Sequence, residues 1–107
     1  MKRNDIVSTY VYFSNSSNGK SRPILILDDN NTDVEFFKLT TKFKNKSSYI
    51  QKKYFQIIDW KEAGLYQPTW IDTNPVISVP KELTTFKPIG QLSLNDIQRL
   101  IVFMKNQ

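Results

Sequence analysis

The residues best suited to chemistry in this chain are an arginine and a cluster of lysines. Arg22 precedes Pro23 and the aliphatic run Ile24-Leu25-Ile26-Leu27, and the polar stretch Ser14-Asn15-Ser16-Ser17-Asn18-Gly19-Lys20-Ser21 leads into it. Proline fixes φ, lacks an N–H and biases the residue before it toward extended geometry. Arg22 is therefore expected at a loop–strand junction, held at the rim of a core rather than on a mobile loop. Its planar fork can hold two phosphate oxygens, a geometry that lysine lacks. Farther on, Lys42-Phe43-Lys44-Asn45-Lys46 interleaves cations with one aromatic ring. That pattern suits a single nucleic-acid strand, lysines on phosphates and Phe43 offering a face to a base. The bland alternatives are a charged strand edge and a solvated hairpin loop.

What is missing narrows the chemistry further. The chain has no cysteine and no histidine, which removes the usual zinc ligands and the usual neutral-pH proton shuttle and leaves carboxylates as the only strong side-chain ligands. Asp28, Asp29 and Asp33 cluster, but without the spacing and glycine of a calcium loop they read as a solvated turn. A glycine-rich phosphate loop, a G-x-S-x-G elbow and an H-E-x-x-H motif are all absent. With 107 residues, 39% of them apolar, the chain suits one compact domain. Fifteen Lys and Arg against ten Asp and Glu give a net charge of +5, which favours a polyanionic partner. No long apolar run follows the first residues or occurs elsewhere, so a soluble cytoplasmic protein with no membrane contact is expected.

The elements that must position these residues are mostly strands. Asp5–Phe13, Pro23–Leu27, Val34–Thr40 and Tyr54–Ile58 are rich in β-branched and aromatic residues. Trp70-Ile71 and Pro75–Pro80 read as two short strands punctuated by proline, at an edge or a bend, and Lys81–Pro88 as a connection. At Ser93 the period changes. Ser93 as N-cap with Asp96 three residues on begins a helix whose Leu94, Ile97, Leu100, Ile101 and Met104 recur at helical spacing and should cover the sheet. Val102 and Phe103 widen that face, as a second buried surface would require. Short strands closed by one helix argue for a mainly β fold, a small bent antiparallel barrel or half-open barrel.

The opening Arg3-Asn4-Asp5-Ile6-Val7, the Gly19-x-x-Arg22-Pro23-Ile24-Leu25-Ile26-Leu27 junction, Leu39-Thr40-Thr41, Ala63-Gly64-Leu65-x-x-Pro68-Thr69-Trp70-Ile71 and Ile89-Gly90-Gln91-Leu92-Ser93 occur in the order seen in MazF/PemK (Kid-like) toxins. This resemblance spans nearly the whole chain. It implies an SH3-like barrel with a C-terminal helix, a homodimer, and the toxin of a type II toxin–antitoxin pair that cleaves single-stranded RNA without a metal or other cofactor. An acidic antitoxin is the implied partner, matched to the positive charge of this chain.

The residue types fit such cleavage, because the substrate's own 2′-OH is the nucleophile and the protein need only orient the phosphate, stabilise its charge and move protons. The resemblance makes Arg22 and Thr40 the catalytic pair, with Thr41 the neighbour that could be mistaken for Thr40. Lys20, Thr41, Lys42, Phe43, Lys44 and Lys46 are the candidate RNA-binding residues. This chain departs from the family in having Asn4 where a glycine is usual and in lacking the histidine that some Kid-like members use. Asp5, or Arg22 itself, is then the candidate for proton transfer. A CcdB-like gyrase poison or a non-catalytic SH3-like module remains the alternative. For Trp60 and Trp70, packing is favoured over base stacking.

Overall fold

The computed structural model describes residues 1–12 and 19–107, apart from the side chains of residues 11, 12, 19 and 20. The first apolar run forms β1 (Asp5–Tyr12), and Arg22-Pro23 lies within a longer strand, β2 (Gly19–Asp29). Phe13, expected as the end of the first strand, and the polar loop from Ser14 to Asn18 fall outside the described residues. β3 (Asp33–Thr40), a single helical turn α1 (Ser48–Gln51), β4 (Tyr54–Ile57), β5 (Thr69–Pro80), β6 (Phe86–Gln91) and α2 (Leu94–Lys105) follow. The two short strands expected around Pro75 are one strand, β5, that bends: its pairing with β3 skips from Asp72 to Ile77, and the cis Asn74–Pro75 peptide lies in that gap. β6 occupies part of what read as a connection, and includes Pro88.

The fold is mainly β with a C-terminal helix, as expected. Its six strands form one antiparallel sheet in the order β4-β5-β3-β2-β1-β6. Register shifts at Ile6/Val7, Ile26/Asp28 and Phe36/Lys38 bend the sheet. The barrel nevertheless stops short of closure, because β4 and β6 do not pair. The turn after β4 fills the opening instead, with Ala63 so close to β6 that a Cβ on Gly90 would lie 2.2 Å from the Ala63 carbonyl oxygen. Among the described residues no helix is long and apolar enough to cross a membrane.

Side chains alternate along a strand, so the aliphatic run of β2 feeds two cores. Ile24 and Ile26 are 1% and 0% exposed on one face, Leu25 0% on the other. Leu25 joins Ile6, Phe37, Phe55, Ile57 and Ile71 beneath α2, whose Leu100 completes that cluster. Ile24 and Ile26 join Val7, Val34 and Phe36, with Ile77, Val79 and Phe86 closing over them where the sheet curls. Each fully buried Ile, Leu or Phe contributes about 1.5–3 kcal/mol by leaving water.

How α2 docks was only half visible in the sequence. Ser93 Oγ accepts from Asp96 N at 3.0 Å, the expected N-cap. The Asp96 carboxylate does not return to the cap residue as a capping box would have it. It is 0% exposed and accepts from Ile58 N (3.2 Å), Asp59 N (2.8 Å) and Arg99 Nη1 (2.6 Å). Ser93 Oγ in turn donates to Asp59 Oδ2 at 2.6 Å, and Arg99 Nη1 donates to Gln56 O at 3.2 Å while its guanidinium sits 4.7 Å above the Phe55 ring. This anchorage turns the helix so that Asp96, Leu100 and Phe103 face the sheet. Leu94 and Ile101, expected on the covering stripe, stay 70% and 51% exposed.

A second ion cluster ties the far end of the sheet. Asp29 receives the Lys81 ammonium on Oδ1 at 2.6 Å and the Met1 amino group on Oδ2 at 3.1 Å. Nearby, Asn30 Oδ1 accepts from the backbone N–H groups of Thr32 and Asp33, so the acidic stretch is a turn stabilised by its own side chains.

Two stability predictions follow from these contacts. Asp96→Ala strands two part-buried N–H donors and a guanidinium and should lower the unfolding free energy by about 3 kcal/mol, against about 1 kcal/mol for Ser93→Ala, as read from urea titrations. The bond from Lys81, then that from the amino terminus, holds the Asp29 carboxyl below its ordinary 3.8. A folded-state value below the unfolded one stabilises above the unfolded value and loses that contribution as pH falls through the folded one. Wild type should therefore lose stability more steeply than Asp29→Asn as pH falls below about 4.

Candidate functional site

Strand register brings together residues far apart in the chain. Arg22 stands opposite Thr9 on β1, and Ile24 opposite Lys38 on β3. Lys38 stands opposite Asp72 on β5, Thr40 opposite Trp70, and Asp72 in turn opposite Tyr54 on β4. Directly opposed residues share a face, and so do residues two apart on one strand. Thr9, Arg22, Lys38, Thr40, Tyr54 and Asp72 thus all belong to the face of Ile24 and Phe36, at the end where its apolar core gives out.

There they line a cleft of about 600 Å³, with Ile24, Phe36, Ile77 and Val79 as apolar floor and Arg22, Lys38, Lys42 and Lys46 as cationic walls. Thr40 Oγ1 accepts from Lys42 N at 3.1 Å, which fixes the hydroxyl while its proton can serve another acceptor. Asp72 contributes the one carboxylate of the lining among the described residues. Its Oδ1 accepts from Asn74 N at 3.3 Å, and its Oδ2 lies 3.9 Å from Lys38 Nζ. Burial, and then the Asp72 charge, push the Tyr54 phenol above its ordinary value, so it stays a protonated donor at neutral pH. Among the described residues, four cations against one anion leave the cleft positive.

Of the residues expected from sequence, Arg22, Thr40, Lys42 and Lys46 converge here. Asp5 does not. It is four positions before Thr9, roughly 13 Å along the strand, lines a different cavity and accepts from Lys2 N at 3.0 Å, where it closes the N-terminal turn. Thr41 and Lys44 are exposed and lie outside the lining. The Lys20 side chain lies outside the described residues.

Phe43, expected as an RNA-binding residue, is packed against the protein. Its ring stacks on Trp70, centroids 4.9 Å apart and planes 8° apart, and leans on Tyr54 at 6.3 Å. Its carbonyl accepts from Gln51 Nε2 at 3.0 Å and from Lys46 N at 3.1 Å. One ring face is therefore covered by protein, and the residue anchors the loop that carries Lys42 and Lys46. Trp70 packs, as expected, and Trp60 rests against the larger core.

Lys38, Tyr54 and Asp72 were not singled out from sequence. Lys38 is two residues before Thr40 and so on the same face, a signal that alternation alone carries. Asp72 and Tyr54 enter the cleft through strand register, which one sequence does not display. No family model matches this chain, and no curated protein matches it significantly.

Phe43→Ala should loosen the loop without unfolding the sheet. We expect a loss of about 1–2 kcal/mol in urea unfolding, from the lost stack and its burial. New protease sensitivity should appear between Lys42 and Lys53.

Proposed function

We propose that the chain is an endoribonuclease acting on single-stranded RNA, the toxin of a type II toxin–antitoxin pair of the MazF/PemK kind. The observation that carries this reading is the convergence of Arg22, Thr40 and Asp72 on one positively lined cleft. In the reaction the ribose 2′-OH attacks the adjacent phosphorus and gives up its proton to Asp72. The bond from phosphorus to the 5′ oxygen breaks, and that oxygen takes a proton from solvent at the mouth of the cleft. The products are a 2′,3′-cyclic phosphate and a 5′-hydroxyl. Arg22 meets two phosphate oxygens as a fork, and the Thr40 hydroxyl donates to the charge that builds there. Asp72 replaces Asp5 as the proton acceptor, because Asp5 is in another cavity.

The donor set supports metal-independent chemistry. Among its described residues the cleft offers one carboxylate and four cations, and the chain has no histidine or cysteine to add to it. The same cationic walls suit an acidic antitoxin segment competing with RNA, and the exposed apolar Leu94, Ile101 and Val102 on α2 suit a second copy of the chain. A cytoplasmic location accords with an RNA substrate.

The test is incubation with labelled single-stranded RNA in excess chelator. Wild type should cleave and leave cyclic phosphate ends. Arg22→Ala and Asp72→Asn should each slow cleavage by about a hundredfold or more with circular dichroism unchanged. A retained rate in Arg22→Ala removes the site. Binding without cleavage by wild type makes the chain a binding module.

A further inference from the structure

The cleft continues past Arg22. Tyr10, Leu83 and Thr84 line it and also line a second cavity, of about 450 Å³, together with Ser8, Ser21, Thr85 and Lys87. Register explains the arrangement. Ser8 stands opposite Lys87 on β6, and Tyr10 opposite Ser21 on β2, so these four share the face opposite to that of Thr9 and Arg22. The two cavities meet where Thr84 crosses the end of the sheet, its hydroxyl 2.9 Å from Thr9 Oγ1 and 3.3 Å from Tyr10 O.

The lining of this second cavity has groups that suit an oxyanion. Lys87 is exposed and, among the described residues, forms no ion pair. Ser8 and Ser21 are hydrogen-bonded to each other through their hydroxyls. Two hydroxyls carry two protons and their mutual bond uses one, which leaves a donor for a ligand. Among the described residues no carboxylate lines the cavity, so a bound anion meets a cation and a hydroxyl donor with no opposing charge from them. Lys87 and Arg22 are on strands flanking β1, their backbones about 10 Å apart across the sheet, and their side chains are on opposite faces, so a strand that meets both passes around the end of the sheet at Thr84.

We infer that this cavity binds a backbone phosphate flanking the scissile one, so that RNA leaves the cleft over Thr84 and is held by Lys87 and the Ser8–Ser21 pair. The inference rests on the nuclease reading and adds to it a second phosphate subsite.

The test measures binding of uncleavable 2′-O-methyl oligonucleotides, one of about twelve nucleotides and one of about four, over a range of salt. Lys87→Ala should weaken the longer one several-fold and reduce its slope of log affinity against log salt by about 0.7, the loss of one phosphate contact to a single strand. The shorter one should be unaffected, Lys87→Arg should restore the slope, and Ser21→Ala should weaken the longer one without changing it. An unchanged slope for the longer oligonucleotide in Lys87→Ala overturns the subsite and leaves the nuclease intact. Failure of wild type to bind either oligonucleotide overturns both. Lys87-dependent binding of inorganic phosphate with no dependence on RNA length makes the cavity a free-phosphate site and overturns the RNA path.

Discussion

The carboxylate of Asp96 is the interaction on which the arrangement depends. A buried carboxylate costs several kcal/mol unless its lone pairs are met. Here two backbone N–H groups after β4 and the Arg99 guanidinium meet them. Those partners exist in one relative position of helix and strand only, so the bond sets the place and rotation of α2. With α2 seated, Leu100 and Phe103, together with Trp60, Ala63 and Leu65 from the turn after β4, cover the core of one face of the sheet. The curled half of β5 and the start of β6 cover only part of the opposite face.

That inequality of the two faces creates the cleft. Apolar side chains fill the second face until Ile24 and Phe36, and at the next positions along the same strands come Arg22 and Lys38. The guanidinium is thus carried on a strand whose following residues are locked into two cores. A group needed in one orientation against a phosphate is better carried this way than on a loop, since less freedom remains to be lost when ligand binds. Lys42 and Lys46 are the exception. They sit on a loop, and the Phe43–Trp70 stack with the Gln51 bond makes that loop firm.

Features set by short-range chemistry were legible in the sequence. The run from Ile24 to Leu27 signalled a strand at the core, Ser93 the helix start, and the Asp-Asn stretch a turn. Features set by distant pairing were not. The Ser93/Asp96 spacing suggested a capping box, yet the backbone N–H groups of Ile58 and Asp59 compete for the acid and win. Asp72 enters the cleft because β3 aligns it with Lys38, a match between segments more than thirty positions apart. β5 was split in two because Pro75 and Pro80 are strand breakers by propensity, and the bend accommodates Pro75. Pro88 and Gly90 hid β6 for the same reason. α1 spans one turn, too short for periodicity to reveal it.

The two border strands of the open sheet have one more consequence. A β-sheet that ends in free backbone donors and acceptors can template the strand of another molecule. Here Pro88 interrupts the row on β6 with a residue that has no N–H, and Arg99 already occupies the Gln56 carbonyl on β4. Neither border presents an unbroken ladder, so the native state is guarded against growing into intermolecular ribbons, and crowding at high concentration should favour contacts between side chains over main-chain polymerisation.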